Sequence, residues 1–149
     1  MTARERALKM LDKRDYSCQE LLNKLIEKGE DEDEAAQAVE RLAELGFVDD
    51  ARYAPIVVRH YAAKGYGAKR VRAELQRRGI PKELWDEALE QMPGQEDTID
   101  RLLRNKLRSA EPDRAELKRA TDYLARKGYG WDEIRSALAR FKADTGDLD

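Results

Sequence analysis

Three stretches of the chain, SCQELLNKLIEKG (17–29), GAKRVRAELQRRG (67–79) and ELKRATDYLARKG (116–128), start 50 and 49 residues apart and end on the same residue. Each reads as an amphipathic helix closed by glycine, with Leu25, Leu75 and Leu124 four residues before Gly29, Gly79 and Gly128. The pattern continues past the glycine. Six residues on stand Ala35, Trp85 and Ile134; nine on, alanine each time (Ala38, Ala88, Ala137); ten on, Val39, Leu89 and Leu138; thirteen on, Leu42, Met92 and Phe141. Agreement at so many positions marks a tandem repeat of about fifty residues. Glycine suits the left-handed position that closes a helix, since it has no Cβ to clash there.

Outward from these stretches, the residues between the four prolines and nine glycines are mostly Ala, Leu, Glu, Lys, Arg and Gln, all good helix formers. An all-α protein is expected, built as three tandem three-helix repeats in an elongated, curved array. The repeats span 1–50, 51–93 and 94–149, with helices near 17–28 and 33–45, then 52–64, 68–78 and 82–91, then 96–109, 114–127 and 131–142. The opening helix turns Ala7, Leu8 and Leu11 inward. Pro81 starts a helix, where proline is tolerated, and 144–149 is expected to fray.

Composition removes whole classes of function. The 149 residues hold 29 Lys+Arg and 31 Asp+Glu, one His and one Cys. His60 and Cys18 cannot make a zinc site of the usual kind. No phosphate-binding loop or hydrolase motif occurs. No apolar run approaches the roughly 20 residues of a membrane span, and the charged start excludes a secretory signal. The expectation is a cytoplasmic, monomeric, non-catalytic protein without metal or cofactor.

Charge is segregated along the chain. Residues 1–50 carry net -6, residues 51–93 net +4, and residues 94–149 net zero. The run 30–34 is wholly acidic and opens a helix, where the dipole favours it. In the second repeat Ala68, Val71 and Leu75 mark the inward stripe, so Arg70 and Arg77 point away from it, with Lys69 and Arg72 on a flank. Arg119, Arg126 and Lys118 are their counterparts in the third repeat. Glu20 and Glu27 hold the same outward positions in the first. Clustered arginines suit phosphate or carboxylate partners. The candidate partner or DNA surface is therefore Lys64, Lys69, Arg70, Arg72, Arg77, Lys118, Arg119 and Arg126. Gly65-Tyr66-Gly67 reads as a tight turn, and the second Lys-Gly-Tyr-Gly at 127–130 as coincidence, being out of register. Tyr66, Tyr129 and Trp131 are expected in the core rather than stacked on bases.

Three segments resemble the RecX family, bacterial regulators of the RecA recombinase: ALKMLDKRDYSCQELLNKLIEKG (7–29), LAELGFVDDARYA (42–54) and KGYGAKRVRAELQRRGI (64–80). The third repeat is matched more loosely, around Leu124 to Tyr129. The resemblance implies three tandem three-helix repeats that lie along the groove of the RecA–DNA filament. There the protein would suppress ATP hydrolysis, strand exchange and repressor self-cleavage, with DNA met weakly or within the filament. Asp49 and Asp50 are read as helix caps. A helix-turn-helix DNA-binding protein is the alternative, against which stand the net charge of -2 and the acidic starts of the third helices. A repeat scaffold for another protein is the remaining reading.

Overall fold

The structure, a computed structural model, describes residues 1–146. Among them are nine α-helices and no strand: α1 (Ala3–Lys13), α2 (Cys18–Glu27), α3 (Glu32–Glu44), α4 (Asp50–Ala63), α5 (Ala68–Arg77), α6 (Trp85–Leu89), α7 (Glu96–Lys106), α8 (Arg114–Arg126) and α9 (Trp131–Gly146). The all-α class and the grouping by threes agree with the periodicity. Local chemistry sets the helix ends. Ser17 and Glu20 form a reciprocal capping box on α2, and Asp31 and Asp113 accept the first amides of α3 and α8. The three repeat glycines have φ of 99°, 72° and 99°. After each, the next amide reaches back to the leucine of the pattern: Glu30 to Leu25 (3.0 Å), Ile80 to Leu75 (3.1 Å), Tyr129 to Leu124 (3.1 Å). Paired with the glycine's own bond, this closes each helix by the Schellman arrangement.

Three elements depart from the expected helices. A 3-10 turn, Lys82–Leu84, precedes a short α6 where one helix over 82–91 was expected. Pro81 supplies neither an amide nor a side-chain cap, and the first turn winds tightly through a Leu84 N–H bond to Pro81 C=O (3.0 Å). Helix α7 stops at Lys106 because Leu107 turns extended and drops into the core. Helix α9 runs through Gly146, with Thr145 Oγ1 donating to Phe141 C=O (3.0 Å), so 144–146 is helical instead of frayed. The last three residues of the expected tail lie outside the described residues.

Two compact units divide the chain: Met1–Val58 with Glu74–Gln91, and Arg59–Ala73 with Met92–Asp149. The first is built on Ala7, Met10, Leu21, Leu25, Ala35, Val39, Leu42 and Val48, with Leu8 and Leu11 packed at its edge. The second is built on Ile99, Leu103, Leu107, Ala120, Leu124, Tyr129, Ile134 and Ala137. Burial of each such leucine or isoleucine stabilises by about 1.5–3 kcal/mol. In the second unit α9 is also tied to α7, since Arg140 Nε and a terminal guanidinium nitrogen bond the Asp100 carboxylate at 2.8–3.1 Å.

Candidate partner-binding surface

Where α5 begins, the second compact unit brings the two Lys-Gly-Tyr-Gly copies together, although they stand in different registers of the repeat, one before α5 and one after α8. Gly67 N–H donates to Lys127 C=O (2.8 Å) and Lys69 N–H to Gly128 C=O (3.1 Å). Tyr129 Oη donates to Gly65 C=O (2.8 Å) and Lys127 Nζ to Lys64 C=O (3.4 Å). The unfilled amides at the start of α5 thus meet the unfilled carbonyls at the end of α8. Contact is backbone to backbone: a Cβ on Gly67 would lie 2.5 Å from Gly128 O, and one on Gly128 2.5 Å from Arg70 N. The first unit builds the same joint with other residues. Ser17 Oγ donates to Arg78 C=O, and a Cβ on Gly79 would lie 2.5 Å from Gln19 Cβ.

Burial pushes the Tyr129 phenol up to about 12, helped by the negative charge of Glu133. The ordinary value is about 10. The folded protein therefore holds this proton more tightly than the unfolded chain. Its contribution is complete below pH 10 and lost as pH rises toward 12, by up to about 2–3 kcal/mol. Absorbance titration at alkaline pH should show a tyrosine ionising late, together with unfolding. Tyr129→Phe should remove that step while losing about 1 kcal/mol for the bond to Gly65.

The predicted basic residues fall into distinct settings. Lys64, Lys69, Arg70, Arg72, Lys118, Arg119 and Arg126 are exposed. The Arg70 guanidinium lies 5.1 Å from the Tyr66 ring centre. Lys118 pairs with Asp122 (2.9 Å) along α8. Arg119 and Arg126 line a groove of about 310 Å³ with Lys106, Glu116, Ala120, Asp122 and Tyr123. Arg77 is exposed too, its side chain 65% accessible, and it bonds Glu74 one turn earlier on its helix at 3.1 and 2.7 Å.

Glu74 is only 5% exposed and anchors an ion cluster in the first unit. Arg78 lies 3.9 Å from it and 3.6 Å from Glu20. Tyr53 Oη accepts from Arg78 (2.7 Å) and Arg14 (3.3 Å). Burial, then the Glu20 charge, raises the Tyr53 phenol. Glu20 accordingly does not stand on an outward pole. Its side chain is 22% exposed, because it must reach back to Ser17 N–H at the helix start and is held there by Arg14 at 3.3 Å. Glu27 does face solvent, beside Lys24. Asp49 caps α4 through the Ala51 and Arg52 amides, while Asp50 accepts from Cys18 N–H (2.8 Å) instead. Burial, then the charge of Asp50, pushes the Cys18 thiol up to about 11.

Sequence reasoning missed Tyr123, Lys106 and Lys127. Lys127 Nζ lies 4.2 Å from the Tyr66 centroid and 5.9 Å from that of Tyr123, and Lys106 Nζ lies 4.2 Å from Tyr123. Their signal in the sequence was adjacency to basic residues alone. Tyr129 is buried as expected, and Tyr66 is half-buried. Trp131 corrects the core expectation at 58% exposure, since Ile134 and Ala137 take the inner stripe of α9. Among the described residues no acidic, His or Cys cluster could hold a metal, and no helix is long and apolar enough to cross a membrane.

Comparison with known proteins agrees along the whole described fold. Residues 3–42, 49–89 and 95–138 match the family models for the first, second and third three-helix domains of RecX. The Regulatory protein RecX of Stenotrophomonas maltophilia is 39% identical over 135 residues, covering 89% of this chain and 83% of that protein. That of Trichlorobacter lovleyi is 38% identical over 141 residues, covering 90% and 92%. The crystal structure of RecX from Lactobacillus salivarius shares the fold, with a TM-score of 0.84 at 21% identity over 95% of each chain. Three domains matched in order, and relatives at 38–39% identity over about nine-tenths of its length, establish that the chain belongs to the RecX family of regulatory proteins.

Proposed function

We propose that the protein is a non-catalytic regulator of the RecA recombinase, acting in the cytoplasm. It binds in the groove of the RecA–DNA filament and inhibits ATP hydrolysis, strand exchange and repressor cleavage, and so modulates recombination, repair and the SOS response. The observation that carries this reading is the run of three RecX domains over residues 3–138. Electrostatics support it. A net charge of -2 is unlike a protein that works by neutralising phosphate alone. The acidic first repeat suits basic protein surface, and Arg70, Arg119 and Arg126 suit acidic surface or the filament's DNA. Duplex reading by helix-turn-helix elements is disfavoured by Glu32, Asp33 and Glu34 at the start of α3, and by Asp132 and Glu133 at the start of α9.

The test is the ATPase rate of preformed RecA filaments on single-stranded DNA, with this protein added well below the RecA concentration. Strong inhibition is expected. No inhibition at equimolar amounts, with RecA of the same organism, overturns the proposal. Arg119→Glu with Arg126→Glu should raise the concentration needed by about tenfold or more and flatten its salt dependence. Arg77 is a poor choice for charge reversal, because a carboxylate there would sit against buried Glu74.

A further inference from the structure

One surface of the second compact unit alternates cations and rings: Arg70, Tyr66, Lys127, Tyr123, Lys106. Each neighbouring pair is close, with Arg70 at 5.1 Å and Lys127 at 4.2 Å from the Tyr66 centroid, and Lys127 at 5.9 Å and Lys106 at 4.2 Å from that of Tyr123. Since one ammonium contacts both rings, the rings lie within about 10 Å of each other, close enough for bases of one strand. Both residues are half-buried, so packing fixes their positions while part of each residue stays open to solvent. The groove beside Tyr123 adds Arg119 and Arg126, with Glu116 and Asp122 on the same wall.

We infer that this surface is a stacking tract for single-stranded nucleic acid, with bases on Tyr66 and Tyr123 and phosphates on the interleaved cations. A base that enters exchanges an exposed cation–ring contact for a stronger base–ring stack, and the released cation turns to the phosphate. A duplex keeps its bases stacked inside and offers neither ring a face. This goes beyond regulation of RecA, because it requires no RecA. It also gives a use to residues that the helix periodicity leaves on the surface.

The experiment is fluorescence anisotropy of the full chain with a labelled oligothymidine of about 20 nucleotides, with RecA absent. The comparison strands are an abasic strand of equal length and the corresponding duplex. The oligothymidine should bind about tenfold or more tighter than the abasic strand, which carries the same phosphates. Tyr66→Leu with Tyr123→Leu should weaken it by about 30-fold, and Tyr66→Phe with Tyr123→Phe should restore most of the affinity. Affinity for the oligothymidine no greater than for the abasic strand overturns the proposal, and that comparison needs no variant. Tighter duplex binding overturns it too, as does a folded leucine pair that binds like the parent. An oligouridine that binds as tightly as oligothymidine, or more so, supports the tract and extends it to RNA. The ATPase result on RecA filaments stands or falls separately.

Discussion

Alanine at Gly128 should destabilise the protein by about 3–5 kcal/mol, against about 1–2 kcal/mol for alanine at Gly29. The two glycines close equivalent helices with the same φ of 99°, so the left-handed strain imposed on alanine is common to both. Their surroundings differ. A Cβ on Gly29 meets nothing within 4 Å, whereas one on Gly128 lies 2.5 Å from both the Arg70 amide nitrogen and its Cβ. Backbone cannot swing aside as a long side chain can. Relief requires α5 and the end of α8 to separate, which stretches the Lys69 bond to Gly128 (3.1 Å) and the Gly67 bond to Lys127 (2.8 Å). Urea unfolding followed through Trp131, which belongs to the second unit, should show the Gly128→Ala transition well below that of Gly29→Ala. Equal losses at the two positions would mean that the joint contributes nothing.

Removal of the Glu74 carboxylate is the second large effect. Glu74→Ala should cost about 3–5 kcal/mol, since it strips a buried counter-charge 3.9 Å away from a largely buried arginine. Arg78 has a side chain only 19% exposed, with the Tyr53 hydroxyl at 2.7 Å and Glu20 at 3.6 Å. Replacing both members, Glu74→Met with Arg78→Met, should recover most of the loss, because the desolvation cost of the pair disappears with its attraction. Glu27→Ala is the control. Its pair with Lys24 is exposed on both sides and is worth about 0.5 kcal/mol or less. A Glu74→Ala loss as small as that control would show the cluster to be ordinary surface charge.

Helix ends and core faces were legible because they depend on nearby residues. Leu25, Leu75 and Leu124 are each fully buried, as their spacing from the glycines required. Ser17 and Asp31 cap the helices that follow them. Most of the candidate surface was legible as well, since a residue opposite the inward stripe of a helix faces out, and Arg70, Arg119 and Arg126 do so. The reading failed for Glu20, a long charged side chain that turns back to the Ser17 amide and toward Arg14, a choice helix phase does not record. Arg77 faces out as expected, 65% exposed, while also bonding Glu74 on its own helix.

The sequence alone determined the repeat, the all-α class, the glycine-closed helices and the family, because each is carried by residues a few positions apart or by a fixed period. Tertiary structure alone decided that Gly67 meets Lys127, that Tyr129 bonds Gly65, and that Tyr66 and Tyr123 share one lysine between them. Those contacts join residues about sixty positions apart. Periodicity assigns a residue to a face of its helix, but only the close approach of two backbones, allowed here by glycines that carry no Cβ, decides which faces meet.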